Sequence, residues 1–272
     1  MFKFLFPKKV ELIAEEESST LNVDTKGIEN LFAYIENRSG ISLEKTKVLI
    51  QNKITTFCRN KNISSFQKLL DSFTHDNDLW VEFVNLITIN ETYFFREKGQ
   101  ILEALKKHTK TTDTLSILCA PSSTGEEIYS VVILALEMGI TNFKVIGIDI
   151  SIEAITKAKN GLYTQRSVHK IPPNTLEKYF TAQDEKYKIK DTLKRHTQFT
   201  VCNLFEDELY KLGKFDFILS RNMFIYFKDE KKLEAYQRLS RLKKELSSTI
   251  YLGHADVSSK LSEYIKSISQ EG

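Results

Sequence analysis

Leu115 to Asp149 restricts what this chain can fold into more than any other stretch; it reads L-S-I-L-C-A-P-S-S-T-G-E-E-I-Y-S-V-V-I-L-A-L-E-M-G-I-T-N-F-K-V-I-G-I-D. Leu115 to Cys119 is a short apolar run suited to a buried strand. Ala120 to Gly125 is small and turn-forming, as a tight strand-to-helix loop must be. After Glu126-Glu127, the apolar residues Ile128, Val131, Val132, Leu134, Ala135, Leu136 and Met138 continue at helical spacing, and Gly139 can stop the helix. Phe143 to Ile148 is a second buried strand, closed by Asp149. The unit is βαβ, with an acid at the tip of its second strand. Such an acid can hydrogen-bond the ribose hydroxyl pair of a ligand lying across the strand ends.

Two details narrow the ligand. The first turn holds no G-x-G-x-x-G, so it offers little room for a pyrophosphate. Carboxylates follow the turn at once, and at a helix N-terminus they repel phosphate. A cationic or zwitterionic adenosine derivative fits better, and S-adenosylmethionine is the obvious candidate. The plain alternative is an α/β unit whose Glu pair only offsets the positive end of the helix dipole. The unit alone leaves both readings open.

With 272 residues the chain can hold one large domain or two modest ones. A net charge of +3 is small for that length and makes no case for a nucleic-acid partner. The cysteines, Cys58, Cys119 and Cys202, are too few and too scattered for a zinc site, and they suit a reducing cytoplasm. No apolar run reaches the roughly 18 residues that span a membrane. The opening M-F-K-F-L-F-P-K-K lacks the long core and cleavage site of a signal peptide. Residues 1–23 read as a solvated leader. A monomer is expected.

From Asp24 to Leu86 the pattern is all-helical. Asp24 or Thr25 caps a first helix through Leu31, Phe32, Tyr34 and Ile35, which Ser39-Gly40 ends. A second, starting near Ser42, is expected to turn Val48, Leu49, Ile54 and Phe57 inward. Its Lys45, Lys47, Lys53, Arg59 and Lys61 form either a solvated face or a docking surface for an acidic partner. A third uses Phe66, Leu69, Leu70 and Phe73, and a fourth Leu79, Trp80, Phe83, Val84 and Leu86. Past Asp149 another helix runs to Gly161. Leu162 to Thr200 then breaks the rhythm, and alternation at Tyr187 and Ile189 points to a small inserted antiparallel sheet. Strands are expected at Gln198–Asn203, Phe215–Leu219 and Thr249–Leu252, a helix at Asp229–Leu246, and a last edge strand near Tyr264–Ile268.

These pieces, in this order, resemble the chemotaxis receptor methyltransferases of the CheR family. N-E-T-Y-F-F-R-E (Asn90 to Glu97) and S-T-G-E-E-I-Y-S (Ser123 to Ser130) form the most specific pair. G-I-D-I (Gly147 to Ile150), the Pro172-Pro173 segment, N-L-F (Asn203 to Phe205), F-D-F-I-L-S-R-N-M-F-I-Y-F (Phe215 to Phe227) and Y-L-G-H-A-D (Tyr251 to Asp256) follow. The resemblance implies an α/β, Rossmann-like class I methyltransferase domain (89–272) behind an N-terminal all-helical domain (24–88), with a small antiparallel β subdomain (162–198) inserted. It implies methyl transfer from S-adenosyl-L-methionine to glutamate carboxylates in the cytoplasmic parts of membrane chemoreceptors, with S-adenosyl-L-homocysteine as product. Family-style cofactor contacts fall on Asn90, Thr92, Arg96, Glu127, Asp149, Asn203, Leu204 and the strand end Ser220-Arg221. Arg96 and Tyr226 fall where the family places groups near the transferred methyl, and no metal is implied. The alternative is a catalytically weakened module of the same fold that binds the cofactor or docks on a receptor.

Three departures bear on that alternative. Pro121 stands in the cofactor turn where the family has a small residue, K-K-E-L-S-S (Lys243 to Ser248) replaces a Pro-Gly turn, and little chain follows Ile268. The chemistry itself asks little of the protein. A carboxylate is already nucleophilic at neutral pH and a sulfonium is an activated leaving group, so no general base is needed. What must be supplied is alignment of the acceptor oxygen with the S–CH₃ bond at about 3–3.5 Å. This accounts for the lack of a Ser-His-Asp set or metal cluster in the sequence. Arg96 can hold a carboxylate through two parallel hydrogen bonds. Tyr226 either sets its hydroxyl beside the acceptor or packs between Phe224 and Phe227. Glu127 is expected to take the methionine ammonium, with Glu126 structural.

Overall fold

The structure, a computed structural model, describes residues 21–88, 90–108 and 113–270. The expected leader, up to residue 20, and the side chain of Lys45 lie outside the described residues. Four helices open the described chain: α1 (Ile28–Ser39), α2 (Lys47–Asn60), α3 (Phe66–Ser72) and α4 (Asn77–Ile87). Ser65 and Asp76 cap α3 and α4 by accepting from the N–H groups of Lys68 and Leu79. The cap of α1 is Gly27 rather than Asp24 or Thr25; Asp24 pairs with Ser65 in an isolated bridge, which takes it out of the helix start. Leu31, Ile35, Ile54, Phe66, Leu69 and Phe83 fill the centre with no exposed surface. Burial of each such side chain contributes roughly 1.5–3 kcal/mol.

The expected inward face of α2 is corrected. Ile50, Ile54 and Cys58 point inward, whereas Val48 and Leu49 are 76% and 71% exposed. A single 3₁₀ turn over Glu44–Thr46 delays the helix start to Lys47. The i, i+4, i+8 stripe beginning at Ile50 therefore faces the core, and the two residues before it turn out.

The second unit follows α5 (Lys98–Lys106) and runs β1 (Leu115–Cys119), α6 (Glu126–Glu137), β2 (Phe143–Asp149), α7 (Ile152–Asn160), β3 (Leu162–Thr164) and α8 (Gln165–Val168). It continues with α9 (Pro173–Tyr179), β4 (Phe180–Gln183), β5 (Lys186–Ile189), α10 (Asp191–Lys194), β6 (Thr197–Val201), β7 (Phe217–Ser220), α11 (Asp229–Ser240), β8 (Thr249–Leu252) and α12 (Ser259–Gln270). The main sheet is five-stranded and parallel, ordered β6-β2-β1-β7-β8. Side chains alternate across it: Leu115, Ile117 and Cys119 join the core against α5 and α6, and Leu118 joins the core against α11 and α12. The chain builds outward from β1 through β2 to β6, then returns to β1's other edge with β7. The carboxyl ends of β1 and β7 thus flank the topological switch point, where open α/β sheets bind ligands. The inserted sheet is antiparallel, in the order β3-β5-β4.

Strand ends shift by one or two residues, with β6 at Thr197–Val201 and β7 at Phe217–Ser220, and two larger differences stand out. α11 ends at Ser240, not Leu246, because Lys243 bridges to Phe215 while Phe215 N–H donates to Leu242 C=O and Lys244 N–H to Phe215 C=O. The expected edge strand over Tyr264–Ile268 is part of α12. Leu261 is fully buried there and Tyr264 and Ile265 pack beside it, a 3.6-residue spacing rather than a two-residue one.

Candidate active site

A cleft of about 770 Å³ of empty space, part of it open to solvent, lies between the carboxyl ends of the sheet and the helical unit. Ser39, Ile41, Ile87 and Thr88 form the helical side, and Ala120, Pro121, Ile148 and Met223 face them. Asn90, Asp149, Asn203, Leu204 and Tyr226 all line this cleft. Thr92 and Arg96 line an adjoining depression, and Tyr226 faces both. Glu127, Ser220 and Arg221 face neither.

Asp149 ends β2 and is 6% exposed. Its two oxygens accept from the backbone N–H groups of Ser123 and Ser151, each at 2.9 Å. Burial pushes its pKa up to about 6, opposed by those N–H donors. A carboxylate has about four lone-pair sites, so capacity remains for a diol. Ser123 sits at φ 46°, in the left-handed region, and the Asp149 contact holds it there. Gly125, at φ 95°, has no room for a side chain: a Cβ would lie 2.9 Å from both Ala158 Cβ and Tyr163 Oη. The tight turn expected before α6 is therefore required by its packing as well as its φ.

Arg221 follows β7 and its side chain is 1% exposed. Its Nε donates to Glu127 Oε2 at 2.6 Å, and its terminal nitrogens donate to the backbone carbonyls of Arg96 at 2.9 Å and Glu97 at 3.3 Å. Both near contacts to Glu127 fall on Oε2, and the buried Oε1 has no hydrogen-bond partner. Glu126, by contrast, is occupied: its oxygens accept from Thr124 and Ser167, at 2.6 and 3.0 Å, and burial raises its pKa. Arg96 itself is half-buried. Its guanidinium makes a 3.5 Å contact with Glu91 C=O and sits 5.9 Å from the Tyr93 ring centre.

Asn203 is largely committed to the fold. Its Nδ2 donates to Arg38 C=O at 2.7 Å and to Glu206 Oε1 at 3.2 Å, and its Oδ1 accepts from Phe205 N–H at 3.1 Å. What it offers the cleft is one oxygen lone pair and its backbone. Tyr226 stands on a 3₁₀ turn, Phe224–Tyr226, after β7. Burial raises its hydroxyl pKa, opposed by the charge of Arg96, which lines the same depression. Asp256, fully buried, holds the Tyr226 loop by accepting from Asn222, Gly253 and Ile225 N–H at 2.5, 2.8 and 3.1 Å. Sequence reasoning gave Asp256 no role, although it ends the Y-L-G-H-A-D segment. A lone acid three residues past a glycine carried no signal of its three backbone partners.

The cleft suits an adenosine derivative bearing a cation. Its walls are apolar, Asp149 lines it with acceptor capacity to spare, and Ser122 Oγ, Ser123 Oγ, Glu127 Oε1 and Ser220 Oγ are buried without partners around the switch point. Those atoms are acceptors and hydroxyls suited to an ammonium and a carboxylate. Among the described residues no cluster of His, Cys, Asp or Glu could hold a metal ion. No described helix is long and apolar enough to cross a membrane.

Fold and site together define an S-adenosylmethionine-dependent methyltransferase. Residues 90–271 match the family model for the CheR methyltransferase SAM-binding domain, and residues 26–88 match its all-alpha domain. The chain belongs to the CheR methyltransferase family, with S-adenosylmethionine as methyl donor and S-adenosylhomocysteine as product. It is 34% identical to a chemotaxis protein methyltransferase of Campylobacter jejuni, over 88% of this chain and 91% of that protein. A chemotaxis protein methyltransferase of Borreliella burgdorferi is 29% identical, over 90% of this chain and 93% of its own. That of Escherichia coli is 28% identical, over 82% and 81%.

Proposed function

We propose that this protein esterifies glutamate side chains in the cytoplasmic regions of membrane chemoreceptors, giving glutamyl methyl esters. The observation that carries this reading is the position of Tyr226. It faces the Asp149 cleft on one side and the Arg96 depression on the other, so a bound donor and an incoming carboxylate would meet beside it. When bound, S-adenosylmethionine supplies the activated methyl group. Asp149 would hold the ribose diol, and Glu127 and Ser220, which line neither depression, are assigned the amino-acid end on their buried, unpartnered Oε1 and Oγ. Asn90, Asn203 and Leu204 would border the nucleoside, with Thr92 in the Arg96 depression that Tyr226 joins to the cleft. Arg96 grips a carboxylate with its planar fork, and Tyr226 sets its hydroxyl beside the acceptor oxygen.

We divide the chain at residue 88, with residues 162–198 as the insert, and infer a cytoplasmic monomer. The docking surface is α2. There Lys47 is held by Glu29 at 2.6 Å and Lys61 by Glu82 at 2.5 Å, while Lys53 lines a groove that runs past Leu49 to Tyr226. Calorimetry with S-adenosylhomocysteine, then transfer of a tritiated methyl group to receptor-containing membranes, tests the reading. Base-labile label on receptor glutamates is the expected result. Cofactor binding without label in the receptor would leave only a binding module.

A further inference from the structure

The Arg96 loop carries backbone strain, and a buried cation stands behind it. Phe95 and Glu97, on either side of Arg96, have φ of 61° and 50°. Non-glycine residues adopt that region at a cost, and such conformations persist only where the surroundings enforce them. Phe95 N–H is fixed by Ser130 Oγ at 2.9 Å, which secures the loop's entry to α6. The two carbonyls that follow, those of Arg96 and Glu97, are both taken by Arg221. Arg221 is too deep to reach the cleft, and its acidic partners are the Oε2 of Glu127 at 2.6 Å, whose Oε1 has no hydrogen-bond partner, and more distantly the Oε2 of Glu97 at 3.8 Å.

We propose that Arg221 is a positioning residue that ties Glu127 to the Arg96 loop, so that the group receiving the donor's ammonium also sets the angle of the Arg96 guanidinium. The proposal rests on the reading of Glu127 and Arg96 given above. The fork is the essential part: one guanidinium serves a carboxylate and two carbonyls at once, which a lysine ammonium at the same depth cannot do. The Glu127 carboxylate matters to Arg221 because a guanidinium this deeply buried needs an ionised partner. Anything that polarises Glu127 from its free oxygen therefore acts on the same guanidinium that fixes the backbone of Arg96. Alignment of the acceptor is then preset by occupancy of the donor site.

The test is a cycle of Arg96→Ala, Arg221→Lys and the double variant, scored for kcat, KM for receptor and S-adenosylhomocysteine affinity. Arg221→Lys should lower kcat by roughly ten- to a hundredfold with cofactor affinity within about threefold, and should cost little more once Arg96 is gone. Equal proportional losses in the two backgrounds would overturn the proposal. So would a loss confined to cofactor affinity, which would make Arg221 a direct contact. Amide hydrogen exchange gives a readout that needs no turnover. In Arg221→Lys, residues 93–98 should exchange faster while β1 and α6 stay as protected as before, and S-adenosylhomocysteine should slow the loop in wild type only. Uniform exchange changes would mean a structural role alone. If Arg221→Lys does not fold, Glu127→Gln, which keeps the guanidinium and weakens its partner, should loosen the same six residues, and an unchanged loop refutes the link. A wild-type protein that transfers no methyl group to receptors defeats the functional reading, while the exchange experiment still decides the role of Arg221.

Discussion

Asp149 shows how one side chain sets a pH dependence. Its folded pKa, about 6, lies above the ordinary 3.8, because burial outweighs its backbone donors. A raised carboxylate pKa favours the unliganded fold most below the unfolded value, and that contribution fades as pH rises through about 6. With the proposed ribose contact, cofactor binding should run the other way, since the hydroxyls would donate to the ionised form. Affinity for S-adenosylhomocysteine should be level above about pH 7 and fall by up to about tenfold per pH unit below 6. Asp149→Ala should lose roughly 1.5–3 kcal/mol at neutral pH, about ten- to a hundredfold, and flatten the profile. Calorimetric titrations from pH 5 to 8 decide it; parallel curves for the two proteins would remove Asp149 from the ribose. Arg96→Lys, which keeps charge and loses the fork, should cut turnover by orders of magnitude and change cofactor affinity little. A wild-type rate in that variant would reduce Arg96 to a linker residue. Asp149 was legible in the sequence because a strand tip fixes where its side chain goes. The burial of Arg221 was not, since its depth depends on Glu127 and two carbonyls from distant segments.

Among the elements, what could be read ahead tracked local periodicity. The βαβ unit from β1 to β2 and the insert stood out because each carries its own period and its own stops. The turn of α2 did not, because a 3₁₀ turn rotates the stripe without leaving a mark in composition. α12 was missed for a different reason: Leu261 had to be counted with Tyr264, Ile265 and Ile268 before the spacing became helical. The corrected α2 also sharpens the docking surface. Val48 and Leu49 turn outward, at 76% and 71% exposure, and Leu49 lines the same groove as Lys53, so the face combines apolar contact with charge. Lys47 is the weaker probe, being already paired with Glu29. Lys53→Glu should slow methylation of intact receptors severalfold and reduce its sensitivity to salt, with cofactor affinity unchanged. If rate and salt dependence both match wild type, the basic face is solvated surface only.

Across the whole molecule the cofactor cleft is also the seam between the two units. Asn203 Nδ2 reaches Arg38 C=O at 2.7 Å, Ser151 Oγ reaches Asn85 Oδ1 at 2.8 Å, and Ser42 N–H donates to Tyr226 C=O at 2.8 Å. Lys228 adds ion pairs to Glu36 and Glu44, both partly in solvent and therefore weak. Ile41 joins the core of either unit, packing beside Phe227 on one side and Leu43 on the other. A ligand in this cleft would touch Ile41, Ile87 and Thr88 of the helical unit as well as Asp149 and Leu204 of the sheet. Its binding free energy should then stabilise both units together. At a ligand concentration a hundred times Kd, linkage adds about 2.7 kcal/mol to the unfolding free energy of whatever the ligand holds in its native form. Calorimetric scans with S-adenosylhomocysteine should therefore show one transition moving upward as a whole. A scan that split, with a helical transition at its unliganded temperature and only the sheet transition raised, would show that the helical wall of the cleft contributes nothing to binding.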